Sequence, residues 1–403
     1  MGQIQHSLHC YFRLFVFLSL ASLSVDAFGA PPEDDDSEII ITMGGDFGFN
    51  DTKAVPSPIG GFCRNPDRYV PFSEMTEGIK DLFDGDLNIV NLESCVLNEL
   101  PNEGLPRKTY LFSTHPTGIR HMMDLGVNVW TQANNHIWDY KEEGLRLSFK
   151  NIDSLRENYQ FISVGAGLNL DEAKSVKTIV IKNKTIAIAS IGIIDNLHPF
   201  HRADEKTPGT LSFRNRNGFN DYELLLKEIK AVEADYKILA IHYGREHQIN
   251  LDKGQREKYH RAVELGDVDL VIGHHPHVPR PIEYFEESGR GRLIAYSLGN
   301  LLHPGTRKIE DRAPPYNFGM ILRLTLKPNP AGDLRPSRLE LVPLLGMHEK
   351  PYVPEIEISE KLLKSFNDQV ATSLTESLQF EWDKSTPRGT AFYDFETSDS
   401  EQN

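Results

Sequence analysis

The stretch YKILAIHYGREHQINLDKGQREKYHRAVELGDVDLVIGHHPH, residues 236–277, decides the fold class. It opens on a short apolar run, Tyr236 to Ile241, which ends in His242 and Gly244. A run of that length bounded by a turn residue reads as a buried strand. Next comes Lys253 to Gly266, where Tyr259, Ala262 and Val263 recur at spacings of three and four. That is one face of an amphipathic helix. A second apolar run, Val268 to Ile272, follows and ends in His274-His275-Pro276-His277. Strand, helix and strand in succession define an α/β protein. Both strands end in imidazoles, which are poor core formers.

The alternation extends in both directions. Strand-like runs begin at Glu38, Leu87, Val127, Lys177, Thr185, Gly291 and Phe318, with helical patterns at 76–83, 116–126, 141–158 and 220–235 between several of them. KTIVIKNKTIAIAS reads as a hairpin turning at Asn183-Lys184, so the sheets are expected to be mixed. Four segments are expected. Residues 1–30 read as a signal peptide: His and Arg precede an apolar run, Leu14 to Val25, too short to span a bilayer, and small residues follow. Residues 31–37 are an acidic linker, 38–345 the main domain, and 346–403 an amphipathic helix followed by an acidic tail. Such a leader predicts export to a periplasmic, cell-surface or secreted location.

With 43 basic and 58 acidic residues in 403, the formal charge is −15. That excess argues against nucleic acid and anionic membrane surfaces as partners. It leaves an anionic substrate open, because a local metal can outweigh the global field. Of three cysteines, Cys10 lies in the leader; Cys63 and Cys95 are either one disulfide or two thiols. No phosphate-binding glycine loop and no GxSxG nucleophile motif occurs.

Polar donors gather where strands end: Asp46, Glu93, Asn135 with His136, His242 with Glu246, and His274, His275 and His277. Singly, each has an ordinary explanation as a turn or capping residue. Together they fall on the edge that forms the ligand crevice of α/β sheets, and burying them unpaired would be costly. A divalent metal would satisfy them. Carboxylate, amide and imidazole donors without thiolate suit one or two ions of Mn, Fe, Zn or Mg. In an extended His275-Pro276-His277 the two imidazoles would face one point, with His274 facing away.

The ordered set GGDFGF, NLES, ANNHIWDY, IHYGRE, GHHPHV and YSLGN resembles the signatures of the CapA-type poly-γ-glutamate capsule-synthesis proteins, a branch of the calcineurin-like metallophosphoesterases. The resemblance covers roughly residues 38–305. It implies a four-layer αββα metallophosphoesterase-like sandwich with two mixed sheets and a metal centre at one edge. It also implies ligand roles for Asp46, Glu93, Asn135, His242, His275 and His277. His136 would be the catalytic histidine, not bound to metal. Glu246, His274, Asp139 and Asn300 are candidates to orient ligands or touch substrate. One departure stands out: the superfamily has histidine two residues after the first aspartate, and here that residue is Gly48.

The leading functional expectation is an exported metal-dependent hydrolase of phosphoesterase type, acting on an anionic small molecule or polymer and linked to poly-γ-glutamate synthesis or export. Two alternatives share the site. One is a non-catalytic polymer-binding or export factor working with membrane capsule-synthesis machinery. The other is a metal-dependent γ-glutamyl amide hydrolase.

Overall fold

The computed structural model describes residues 38–49, 61–65, 68–101, 108, 110–192, 202–211, 220–251, 253–304, 309, 311–383 and 391–395. The expected leader and linker lie outside these residues. Among those described, no helix is long and apolar enough to cross a membrane.

The strands of the two large sheets are numbered in chain order: β1 (Ile39–Phe47), β2 (Leu87–Leu92), β3 (Val129–Thr131), β4 (Ile162–Val164), β5 (Lys177–Ile181), β6 (Lys184–Gly192), β7 (Tyr236–His242), β8 (Leu270–His274), β9 (Ile282–Glu287), β10 (Arg290–Ala295), β11 (Asn300–Leu302), β12 (Gly319–Pro328), β13 (Leu334–Leu344), β14 (Glu381–Trp382) and β15 (Ala391–Asp394). One sheet has the order β14-β15-β13-β12-β1-β2-β3-β4, with β11 also paired to β1; the other runs β5-β6-β7-β8-β10-β9. Both are mixed. β1–β2–β3–β4 and β6–β7–β8–β10 are parallel, whereas β12 and β5 join antiparallel.

Five helices matter here: α1 (Phe72–Thr76), α2 (Pro116–Asp124), α3 (Lys141–Leu155), α4 (Asp221–Ala231) and α5 (Lys253–Gly266). Three apolar layers show how they stack. Ile41, Met43 and Ile89 of the first sheet meet Ile188, Ile238 and Ile272 of the second in one inter-sheet core. Val90 and Trp130, on the opposite face of the first sheet, pack with Met75, Ile119, Met122 and Ile152 of α1, α2 and α3. Leu239, Ile241 and Val271, on the far face of the second sheet, pack with Leu225, Ile229, Tyr259 and Val263 of α4 and α5. Ile238 and Leu239 thus enter different cores. This is the period-two alternation of a strand buried on both sides, and it explains why these strands read as continuous apolar runs. The architecture is the four-layer αββα sandwich.

Three details differ from the sequence reading. The hairpin turns one residue earlier, at Lys182-Asn183, both with positive φ (49° and 63°), as a tight two-residue turn requires. The helical pattern at 76–83 gives only α1 and a 3-10 turn at Glu77–Ile79. The pattern at 358–378 is not one helix: an α-helix, Ile356–Ser365, passes into a π turn, Phe366–Val370, and a 3-10 turn, Ala371–Ser373. The segment after residue 345 does not stand apart. Leu362, Phe366 and Val370 join the inter-sheet core, and β15 pairs with β13.

Candidate metal centre

The parallel strands deliver their carboxyl ends to one edge. Asp46 is the penultimate residue of β1, in register with Asn91 of β2 on one side and Asn300 of β11 on the other. Glu93 follows β2, its N–H bonded to Phe47 O at 2.8 Å. In the second sheet His242 and His274 are the last residues of β7 and β8 and lie in register. The strands approach closely here. A Cβ on Gly45 would lie 2.1 Å from Gly299 O.

Two groups of donors come together around one carboxylate. Glu93, His242 and His275 have ligand atoms within 4.8 Å of one another, and so do Asp46, Glu93 and His277. Glu93 Oε1 lies 3.4 Å from His242 Nε2, while Oε2 lies 4.0 Å from His277 Nδ1. Asp46 Oδ2 is 3.1 Å from His277 Nδ1, and its Oδ1 accepts from Asn91 Nδ2 at 2.8 Å. Asn135 Oδ1 stands 3.1 Å from His242 Nε2, and Asn300 Oδ1 stands 2.8 Å from His277 Nδ1.

The electrostatics show how tightly the charges of this cluster are coupled. Burial, then the charge of Asp46, pushes the Glu93 carboxyl well above its usual range. Burial also opposes ionisation of Asp46, but contacts with His274 and His277 outweigh it and hold that carboxyl well below. Burial disfavours the His277 imidazolium, yet the Glu93 and Asp46 carboxylates override it and push the group up to about 10. Burial, followed by the His277 charge, pushes His275 down to about 4. The two buried carboxylates thus hold a proton on His277, where a metal cation would serve them equally. The donor set is oxygen and imidazole nitrogen, and His275 Nδ1 is a buried nitrogen with no hydrogen-bond partner. These residues fit a divalent metal.

His136 belongs to a different set. Its Nδ1 faces Asp139 Oδ2 at 2.7 Å, and its Nε2 faces Glu93 Oε1 at 4.0 Å. The Asp139 carboxylate also accepts from Phe112 N at 2.6 Å and from Lys108 Nζ, and the His136 ring packs on Phe112 at 4.1 Å. Burial, then the Lys108 charge, holds His136 well below its ordinary value, so the resting ring is neutral. A neutral ring bonded to a carboxylate carries its proton on Nδ1 and leaves Nε2 turned to the cluster. Asn134 braces this turn: its Nδ2 donates to Leu92 O at 2.7 Å, and its Oδ1 accepts from His136 N at 3.1 Å.

The structure brings Asp46, Glu93, Asn135, His136, His242, His275, His277, Asp139 and Asn300 to one site. It corrects two expectations. His275-Pro276-His277 is not extended; His275 and His277 have φ of 95° and 59°, and their ring centroids stand 6.1 Å apart with planes inclined at 51°. His274 does not face away; its Nδ1 is 3.4 Å from Asp46 Oδ1. Glu246 is exposed, while the ring nitrogens of His242 face Asn91 and Asn135. Cys95 is a free, buried thiol, with Sγ donating to Ile137 O at 3.2 Å; the side chain of Cys63 lies outside the described residues. Three neighbours went unread in the sequence: Asn91, Lys108 and His303. The only available signal was a polar residue inside an apolar strand for Asn91, and a histidine three residues past YSLGN for His303.

The chain is thus a four-layer α/β sandwich whose shared strand edge carries buried carboxylates and imidazoles, in two groups that could each hold a metal ion. The chain belongs to the family described as bacterial capsule synthesis protein PGA_cap, whose model matches residues 41–304. It is 29% identical over 274 residues to the PGA biosynthesis protein CapA of Bacillus subtilis (strain 168), covering 67% of this chain and 62% of that protein. It is 28% identical over 226 residues to the capsule biosynthesis protein CapA of Bacillus anthracis, covering 54% of this chain and 50% of that protein. The chain therefore spans half to under two-thirds of these relatives. Among solved structures, a purple acid phosphatase, PPD1, from yellow lupin aligns at 12% identity with a TM-score of 0.36, covering 79% of this chain and 53% of that one.

Proposed function

We propose that this protein is an exported, metal-dependent hydrolase of phosphoesterase type that acts on an anionic substrate in capsule or poly-γ-glutamate synthesis or export. One observation carries the reading: Glu93 is common to two three-residue donor groups, each tight enough for one ion. The printed names of the Bacillus relatives support the link to capsule biosynthesis. The leader-like residues 1–30 support export.

Asp46, Glu93 and His277 would hold one divalent ion; Glu93, His242, His275 and Asn135 would hold another. When bound, such ions supply an activated water and a clamp for the reacting oxygens. The remaining chemistry falls to the chain. Asp139 fixes the His136 tautomer and supports a positive charge on the ring. Lys108 in turn offsets the charge of Asp139. His136 Nε2, turned to the cluster, can take up a proton and deliver it to a leaving oxygen. Phe112 packs against the ring, tilted by 31°, and supports that orientation.

The test is metal analysis of the purified chain, with assays on phosphomonoesters, phosphodiesters and a γ-glutamyl polymer. Bound metal, and turnover of a phosphoester that is lost in His242→Ala, is expected. Absence of metal, or turnover unchanged in His242→Ala, overturns the reading. Cleavage of the γ-glutamyl polymer alone would replace phosphoester chemistry with amide hydrolysis at the same residues.

A further inference from the structure

Gly48, the residue just past β1, removes a donor at a position where the resemblance leads one to expect histidine. The neighbouring strand supplies an imidazole beside that position. Gly48 N donates to Leu302 O at 2.9 Å, so the two backbones run side by side, and His303 is the next residue. Its own N–H is anchored to Met347 O at 2.7 Å. The ring is 1% exposed, and Nε2 lies 3.5 Å from Glu93 Oε2. That is the same oxygen that faces His277 Nδ1 at 4.0 Å. The His303 and His277 rings are 5.0 Å apart, and the edge of Phe112 supports His303 at 4.9 Å.

Packing does not account for the choice of residue. Leu301 and Leu302 of β11, the residues before His303, are fully buried and apolar. A buried imidazole beside a carboxylate has a polar role to fill.

We propose that His303 is a further ligand of the ion held by Asp46, Glu93 and His277, and stands in for the side chain missing at Gly48. The inference rests on the metal reading above. It gives the first ion two carboxylates and two imidazoles. The second ion keeps Glu93, His242, His275 and the Asn135 amide. Each ion then has four protein donors and shares Glu93, a number matched to zinc and extendable by water for manganese.

The experiment strips the full-length chain with chelator and titrates it with Zn²⁺ or Mn²⁺. Bound ions are counted after dialysis, and affinities are measured by chelator competition. The wild-type chain is expected to bind two ions. His303→Ala should retain one at wild-type affinity and weaken the other by more than the roughly 10–100-fold typical of an outer partner. Two ions held by His303→Ala with unchanged affinity would overturn the proposal and leave the metal reading intact. No ion in the wild-type chain would overturn both. Should His303→Ala fail to fold, ¹⁵N-histidine-labelled wild-type chain decides. Zinc should shift the ring signals of four histidines, His242, His275, His277 and His303; a shift of only three sinks the proposal.

Discussion

Metal uptake at the Asp46–Glu93–His277 group should release a proton. His277 Nδ1 is surrounded by oxygen: Asn300 Oδ1 at 2.8 Å, Asp46 Oδ2 at 3.1 Å and Glu93 Oε2 at 4.0 Å. A nitrogen so placed is a donor, and the two carboxylates push the ring up to about 10 against its burial. A metal ligand must be the neutral ring, so the ion takes the place of the proton. The sign follows. In the empty site the raised value favours the protonated form at all pH values below about 10. Apparent metal affinity therefore rises with pH. At pH 7 the neutral ring is about one in a thousand, a cost of about 4 kcal/mol. Affinity should rise about tenfold per pH unit from pH 7 to 9. Calorimetric titration with Mn²⁺ in two buffers of different ionisation enthalpy reads the proton directly, and about one per ion in this group is expected. His277→Gln should abolish both the release and the slope. Strong binding with no proton released and no pH slope would refute the argument.

Three further outcomes are expected. Asn135→Ala should weaken metal binding by more than the roughly 10–100-fold of an outer partner, whereas His136→Ala should keep the metal and lose about 100- to 10,000-fold in turnover; metal titration alongside kcat separates the two. Gly45→Ala should cost at least about 1–3 kcal/mol in denaturant unfolding, because its Cβ would lie 2.1 Å from Gly299 O, a backbone atom of the adjoining strand. Cys95 should resist alkylation at pH 8 in the native chain and react once unfolded, because burial, then the Asp139 charge, pushes its thiol up to about 12; peptide mapping reads the modification.

The fold is legible because its strands are buried on both faces. Ile238 and Leu239 serve different cores, so the sequence carries an apolar run that no solvent-facing alternation breaks. The helices between them keep a polar side and betray themselves by period. Asp46, Glu93, His242 and the 274–277 segment are legible for a related reason. A polar group immediately after such a run has to be explained, and a shared strand edge explains all of them together. The end of the chain is harder to read. Residues 358–378 have an amphipathic pattern, but Phe366 and Val370 are drawn into the inter-sheet core, and the helix changes its hydrogen-bonding period there.

Where the sequence fails, a local rule gives way to a contact across the fold. Alternation turns His274 away from the site only if the backbone stays extended, and φ values of 95° at His275 and 59° at His277 break that premise. Strain of this kind is tolerated where the surroundings over-determine it. Here His275 N is held by Asp46 Oδ2 at 3.1 Å, from a strand 229 residues away. Asn91 inside an apolar run looks like a flaw until its amide is seen between Asp46 and His242, one from each sheet. Lys108 precedes His136 by 28 residues with no periodic relation to it, yet it donates to the Asn135 carbonyl at 2.7 Å and to Asp139. These residues join the strand ends to one another. Glu93 is the clearest case: its Oε1 turns to His242 of the second sheet and its Oε2 to His303 of the first. A glutamate at that position reads as a longer aspartate in the sequence, but in the fold its two oxygens face donors carried by two different sheets. The layer interface, which no local pattern encodes, is what makes one carboxylate common to both groups.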